Sequence, residues 1–312
     1  MSLTQHLLGI DVGGTKITIG LYNAKCELQK SHRIDSGNRS AADIESDIRN
    51  AISELAKVQS FIRSVGISSA GPIDLQSIEI SPVNIPAFRK FPLGEIILDE
   101  LAKFGSHPQI AIQGDIIGMA RAEIFLDPTL TETTAFLVNA GTGIGGALID
   151  RGKVLTGDTG NSGYFGHASV AFDGPICNCG AFGCVEYYAG GAAMVLRGKE
   201  NGIATPLSDF ATLNSLADSG NIAAIATIES GATAIAQATV NVMLINDLTK
   251  IIVTGGVVLS SDIFYEKMVS EIASRIQPHA FLLDFQIRKA LLDSSSAELG
   301  AALLAREVLL TS

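Results

Sequence analysis

The stretch Leu7-Leu8-Gly9-Ile10-Asp11-Val12-Gly13-Gly14-Thr15-Lys16-Ile17-Thr18-Ile19-Gly20-Leu21 decides the reading of the fold. Two apolar runs of strand-forming residues flank a Gly-Gly-Thr turn, which is the signature of a β-hairpin. The design returns in Ala135-Phe136-Leu137-Val138-Asn139-Ala140-Gly141-Thr142-Gly143-Ile144-Gly145-Gly146-Ala147-Leu148-Ile149, displaced by 128 residues when Asn139 is set against Asp11. A supersecondary unit repeated at nearly half the chain length predicts two domains of related architecture. The 312 residues agree, at roughly 150 per domain.

Outward from the first hairpin, strands and helices alternate. Ile44, Ile48, Ile52 and Leu55 recur at helical spacing. Ser64 to Pro72 reads as a strand ending in a glycine loop, followed by a helix near 93–103 and a short strand at 109–113. After the second hairpin the chain turns helical, with a buried Ala-rich helix or helix pair over 221–247. Ile251 to Gly256 is a buried strand closed by a glycine pair, and 297–310 is an Ala/Leu-rich helix. This is an α/β pattern, and the boundary is expected as a crossover near 115–135. The expected domains are 1–117, completed by the helix 298–312, and 118–297.

Composition narrows the function. With 22 basic against 32 acidic residues and a net charge of -10, the chain lacks the electrostatics of a broad nucleic-acid-binding face. A small phosphate pocket built from backbone amides needs no such charge. Glycine at 32 residues and aromatics at 6% point to close backbone approach rather than aromatic stacking. Mean hydropathy is positive, yet the most apolar long stretch carries Glu229, Gln237 and Asn241, so no membrane span is expected. The first residues lack a basic leader region, so a cytoplasmic protein without a signal peptide is expected. In that compartment clustered cysteines are metal ligands more often than disulfides.

Gly13-Gly14-Thr15, Gly141-Thr142-Gly143 and Gly255-Gly256 are three loops where backbone N–H groups can approach phosphate oxygens. Each is also readable as a plain tight turn. The second matches G-x-G-x-x-G through Gly146, but a dinucleotide fingerprint opens a helix and this one runs into a strand. There is no Walker A sequence. A nucleotide held by paired glycine hairpins is the remaining reading. Asp11, at the end of an apolar strand, can hold Mg²⁺ beside phosphates or simply cap an Asx-type turn.

His167, Cys177, Cys179 and Cys184 form H-x9-C-x-C-x4-C among glycines. One imidazole and three thiolates make a closed tetrahedral zinc site with no position for a reactive water, so the metal is a staple. Cys26 stands apart as an ordinary thiol.

The Asp11 hairpin, the Gly141 hairpin and the block from Gly166-His167 through Cys177-x-Cys179-Gly-x-x-Gly-Cys184-x-Glu186 together resemble the ROK family of sugar kinases and sugar-responsive repressors. The likeness runs in order through Gly255-Gly256 to Glu298 and the last helix. It implies an actin-like, ribonuclease-H-like two-domain fold with an interdomain cleft, ATP and Mg²⁺ bound there, and a sugar between the domains. Dimers or tetramers are implied as well. Nucleotide contacts would fall on Asp11, Gly13, Gly14, Thr15, Lys16, Gly141, Thr142, Gly143, Gly255 and Gly256.

By the same resemblance Asp115 is the catalytic base, taking a proton from a sugar hydroxyl, usually that on C6. Asn84, His167 and Glu186 fall on sugar contacts, and His167 shares itself between zinc and sugar. Two positions depart from the pattern. Gly114 stands where the family has Asn, and Tyr164 where it has Glu, which puts the acceptor in question more than the chemistry. The expected acceptor is a hexose or N-acetylhexosamine, N-acetylmannosamine first. Two other readings compete. A sugar-binding regulator is one, weakened because the first hairpin begins near residue 7 with no DNA-reading module before it. A zinc-dependent NAD dehydrogenase is the other, weakened by the strand after Gly146 and the closed metal site.

Overall fold

A computed structural model describes residues 6–37, 39–59, 61–83, 85–203, 206–292 and 296–310. The chain divides into two compact units. The first comprises 1–128, 154–162 and 294–312, and the second 129–153 and 163–293.

The first unit is built on β1 (His6–Val12), β2 (Lys16–Asn23), β3 (Leu28–Asp35), α1 (Ala41–Val58), β4 (Ile62–Ser69), α2 (Leu93–Ala102), β5 (Gln109–Gly114) and α3 (Asp115–Leu126). The sheet order is β3-β2-β1-β4-β5. β1 to β3 form an antiparallel meander, while β4 and β5 run parallel to β1. Both faces of the central strands are covered, which is why Leu7, Leu8, Ile10 and Val12 are apolar without alternation. On one face Ile44, Ile48, Ile52 and Leu55 of α1 meet Leu8, Ile10, Ile17 and Ile19. Ser40 caps α1 by accepting the Asp43 N–H. On the other lies the C-terminal helix (Ser296–Leu310), packed on Leu7 and Tyr22.

That helix sits at backbone contact with its neighbours. A Cβ on Gly66 would stand 2.1 Å from the Ala301 carbonyl oxygen, and one on Gly300 would stand 2.1 Å from the Gly118 oxygen. Glycine at these positions is therefore set by packing rather than by turn geometry.

The second unit contains β6 (Thr134–Ala140), β7 (Ile144–Asp150), β8 (Lys153–Val154), α4 (Val185–Ala189), α5 (Gly191–Glu200), α6 (Phe210–Asp218), α7 (Ile222–Asn246), β9 (Lys250–Thr254), α8 (Gly256–Ser260), α9 (Asp262–Ile276) and β10 (Gln286–Lys289). Its sheet order, β10-β9-β6-β7-β8, repeats the plan of the first. A hairpin is followed by two strands parallel to its first member. Asp11 and Asn139 are each the penultimate residue of that first strand, so the 128-residue displacement relates equivalent positions. The stretch over 221–247 is a single helix of 25 residues, α7, long and apolar enough to cross a membrane. Here it is a core element, with Ile228, Ile235 and Met243 fully buried in the cluster that also holds Phe264 and Ile272 of α9.

Candidate functional site

In the first unit the glycine turn joins β1 to β2. The Gly13 N–H donates to the Lys16 carbonyl at 2.9 Å, and Ser36 ties the turn from outside through its N–H to the Thr15 oxygen. Gly14 and Thr15 remain exposed, so the tip can receive a ligand. Asp11 is 5% exposed and stands beside Ser68 across the parallel β1–β4 pair.

Asp115 is the first residue of α3, directly after β5. Its position is fixed from behind by Gln113, whose amide donates to Ser68 Oγ and to the Gly300 carbonyl, both at 3.1 Å. The Arg121 guanidinium donates to the Gln113 oxygen at 2.6 Å, so β5, β4, α3 and the C-terminal helix meet behind the carboxylate. The Ile116 N–H donates to Asp115 Oδ1 at 2.7 Å.

The electrostatics of this corner are unusual. Asp11 is pushed up to about 7, chiefly by burial and then by the neighbouring Asp115 charge, with Lys16 opposing and Glu298 adding to the rise. Desolvation also raises Asp115 above the ordinary carboxylate range, against the Ile116 N–H. Glu298 is held by the Tyr22 hydroxyl, which donates to it at 2.8 Å. A pair of buried carboxylates raised in this way can hold a cation or accept a proton from a substrate. Sequence reasoning placed Glu298 only in the terminal helix and gave it no role. Its approach to Asp11 spans the whole chain and leaves no local signal.

In the second unit two of the glycine loops come together at one end of β6 and β9. The hairpin tip is closed by the Gly141 N–H donating to the Gly143 carbonyl at 3.0 Å. Gly255 has φ of +99°, and a Cβ there would lie 2.4 Å from the Ala140 oxygen and 2.5 Å from Asn139 Oδ1. Only glycine fits. A Cβ on Gly141 would stand 3.9 Å from the Gly256 N, so the two loops are neighbours. The Gly13-Gly14-Thr15 turn belongs to the other unit.

The loop between β8 and α4 brings His167, Cys177, Cys179 and Cys184 together, with all four donor atoms within 4.8 Å of one another. Nδ1 of His167 lies 3.9 Å from Cys177 Sγ, and the Cys179 and Cys184 sulfurs are 3.7 Å apart. The loop is shaped by Gly180 (φ +91°) and Gly183 (φ +66°), with the Cys177 N–H donating to Ala181 and the Gly183 N–H to Pro175. Burial and its neighbouring thiols push Cys184 up to about 12, whereas the Ala181 N–H holds Cys179 below the ordinary thiol range. Thiols so crowded deprotonate together only around a cation, and the donor set fits a tetrahedral metal.

Cys184 directly precedes α4, and Glu186 lies in its first turn, where its carboxylate accepts the Ile144 N–H at 2.8 Å. The ring of Tyr164, 40% exposed, has its centroid 5.5 Å from that of His167. Gly114 has φ of -62° and ψ of 147°, open to any residue, and a Cβ there would meet only Ile117 Cγ1 at 3.7 Å. Asn84 lies outside the described residues.

The family model for the ROK family matches residues 7–308. An N-acetylmannosamine kinase of Shigella boydii serotype 18 is 30% identical over 304 residues, which is 96% of this chain and 98% of that protein. The ROK hexokinase of Thermus thermophilus superposes with a TM-score of 0.83 at 25% identity, over 99% of this chain and 100% of that one. A ROK family glucokinase from Streptomyces griseus, solved in complex with glucose and AMPPNP, shares the fold with a TM-score of 0.79 at 24% identity, over 97% and 99% of the two chains. The chain has the two-domain actin-like fold of these sugar kinases. It belongs to the ROK family and is an enzyme of its sugar-kinase class.

Proposed function

We propose that this protein transfers the γ-phosphoryl group of ATP to the 6-hydroxyl of an N-acetylated hexosamine, N-acetylmannosamine foremost. The observation that carries the chemistry is Asp115, set at the start of α3 with its carboxyl raised beside Asp11. A base whose affinity for a proton lies nearer neutrality takes the hydroxyl proton as the new O–P bond forms and the bond to ADP breaks. The choice of sugar follows the name of the curated relatives.

The remaining roles divide by unit. Gly14 and Thr15 on the first, and Thr142, Gly143, Gly255 and Gly256 on the second, offer backbone N–H groups to the phosphates, Lys16 adds an ammonium, and Gly13 and Gly141 shape the turns through their own N–H bonds to Lys16 and Gly143. Asp11 is the carboxylate to hold Mg²⁺, which when bound neutralises phosphate charge. His167, Cys177, Cys179 and Cys184 are the ligands for a structural zinc. With Nδ1 turned to Cys177, a metal held there would fix the tautomer and leave Nε2 of His167 for a sugar hydroxyl. Glu186, Asn84, Tyr164 and the space at Gly114 complete the acceptor contacts. A cytoplasmic homodimer or homotetramer is part of this reading.

An ADP-release assay over glucose, mannose, allose, fructose, N-acetylglucosamine and N-acetylmannosamine tests it. N-acetylmannosamine is expected to give the highest kcat/KM. Sugar binding without ADP release from any member would instead favour a regulator, and glucose leading by tenfold or more would overturn the assignment of the acceptor.

A further inference from the structure

The junction of α4 and α5 grips the tip of the β6–β7 hairpin at two points. The Gly191 N–H donates to the Gly141 carbonyl at 2.9 Å, and Glu186 Oε2 accepts the Ile144 N–H at 2.8 Å. The same oxygen occupies the space in front of Gly143, where a Cβ would lie 2.6 Å from it. Gly143 does not have a left-handed φ. A side chain there would have to displace the carboxylate of Glu186, and with it the hydrogen bond to Ile144.

We propose that Glu186 is a positioning residue for the phosphate-binding turn as well as a sugar contact. By holding the Ile144 N–H and filling the space over Gly143, it sets the shape in which Gly141 to Gly143 meet the nucleotide. Oε2 is committed to the hairpin, and the carboxylate keeps acceptor capacity on Oε1 for vicinal hydroxyls of a sugar. One side chain thus links the two ligands. A sugar that orders this carboxylate strengthens nucleotide binding, and the nucleotide strengthens sugar binding by the same factor. The proposal rests on the reading of this turn as a phosphate site.

The test is calorimetric binding of ADP with Mg²⁺ to the full chain in the absence of sugar, for wild type, Glu186→Ala, Glu186→Gln, Gly143→Ala and the Gly143→Ala/Glu186→Ala pair, with folding checked by circular dichroism. Glu186→Ala is expected to weaken ADP about three- to tenfold, the range of one lost hydrogen bond. Glu186→Gln keeps a carbonyl oxygen for Ile144, so it should hold ADP within about twofold of wild type. It should nevertheless lose at least about tenfold in N-acetylmannosamine affinity, as expected for losing a hydrogen bond to a charged group. Gly143→Ala should displace the carboxylate and weaken ADP about as much as Glu186→Ala, with little further loss when Glu186 is already Ala, a non-additivity that marks direct contact. If Gly143→Ala weakens ADP but Glu186→Ala does not, or the two effects add, the positioning role is overturned. If Gly143→Ala leaves ADP affinity unchanged, the phosphate reading of the turn falls, and the proposal with it.

Discussion

Replacing Asp11 with Asn is expected to stabilise the folded protein at alkaline pH. The side chain is 5% exposed, and burial together with the Asp115 charge pushes its carboxyl from 3.8 to about 7. An acid raised in this way binds its proton more tightly folded than unfolded. Its contribution to stability is whole below the unfolded value and is lost as pH climbs through the folded one. With those two values the loss between pH 5 and pH 8 is about 2.5 kcal/mol. Asn has the same shape and never ionises, so its advantage over Asp should grow by that amount across the interval. For a unit of this size that is roughly 5–10 °C of melting temperature. The chain has no Trp, so far-ultraviolet circular dichroism is the appropriate probe. Melting curves of both proteins at pH 5, 6, 7 and 8 decide the matter. A gap that stays constant with pH, or an Asn variant that melts below wild type at pH 8, would refute the electrostatic account of this corner.

Asp115→Asn should leave the fold and ADP affinity nearly intact while lowering turnover at least about 10²-fold, the scale of general-base catalysis; a variant keeping more than half of wild-type turnover removes Asp115 from the role of base. Metal analysis of protein purified without added zinc should find one zinc per chain, and Cys184→Ser should weaken sugar binding more than ADP binding because α4 carries Glu186. Metal-free yet fully active protein would contradict that expectation. Gly114→Asn should fold as well as wild type, since the backbone there suits any residue and a Cβ meets no atom closer than 3.7 Å. If the missing amide is what disfavours glucose, the variant's kcat/KM for glucose should rise about tenfold, the worth of one hydrogen bond, and an unchanged value would shift the discrimination to Tyr164.

The hairpins were legible in the sequence because each is contiguous: apolar runs on both sides of a glycine turn fix pairing and register within 15 residues. The cluster of His167, Cys177, Cys179 and Cys184 was legible for the same reason. β3 and β10 left little trace. Leu28-Gln29-Lys30-Ser31-His32-Arg33 and Gln286-Ile287-Arg288-Lys289 are sheet edges, where polar and charged side chains face solvent and the apolar period fades. The 221–247 stretch read equally as one helix or two because small Ala, Gly and Thr residues mark no face. Asp115 gave no signal of its own as a base. One Asp after a short strand is common, and its raised pKa comes from burial that no local pattern records.

Glycine shows most sharply where sequence reading stops. Gly13, Gly14, Gly141 and Gly143 lie in hairpin turns, while Gly9, Gly66 and Gly300 lie where a Cβ would meet another backbone, and no local pattern separates the two groups. The second group nevertheless shapes the acid corner. Gly66 and Gly300 let the C-terminal helix settle against β4 and α3, and its first turn then carries Glu298 to the Tyr22 hydroxyl, where its charge adds to the rise of Asp11. A side chain at Gly66 would drive that helix outward against the backbone of Ala301 and Ala305. Overpacking of this kind costs typically about 1–3 kcal/mol. The same displacement would withdraw Glu298 and remove its share, the smallest, of the rise at Asp11. Packing and part of the electrostatics in the first unit therefore depend on the same close contacts, made between residues far apart in the chain.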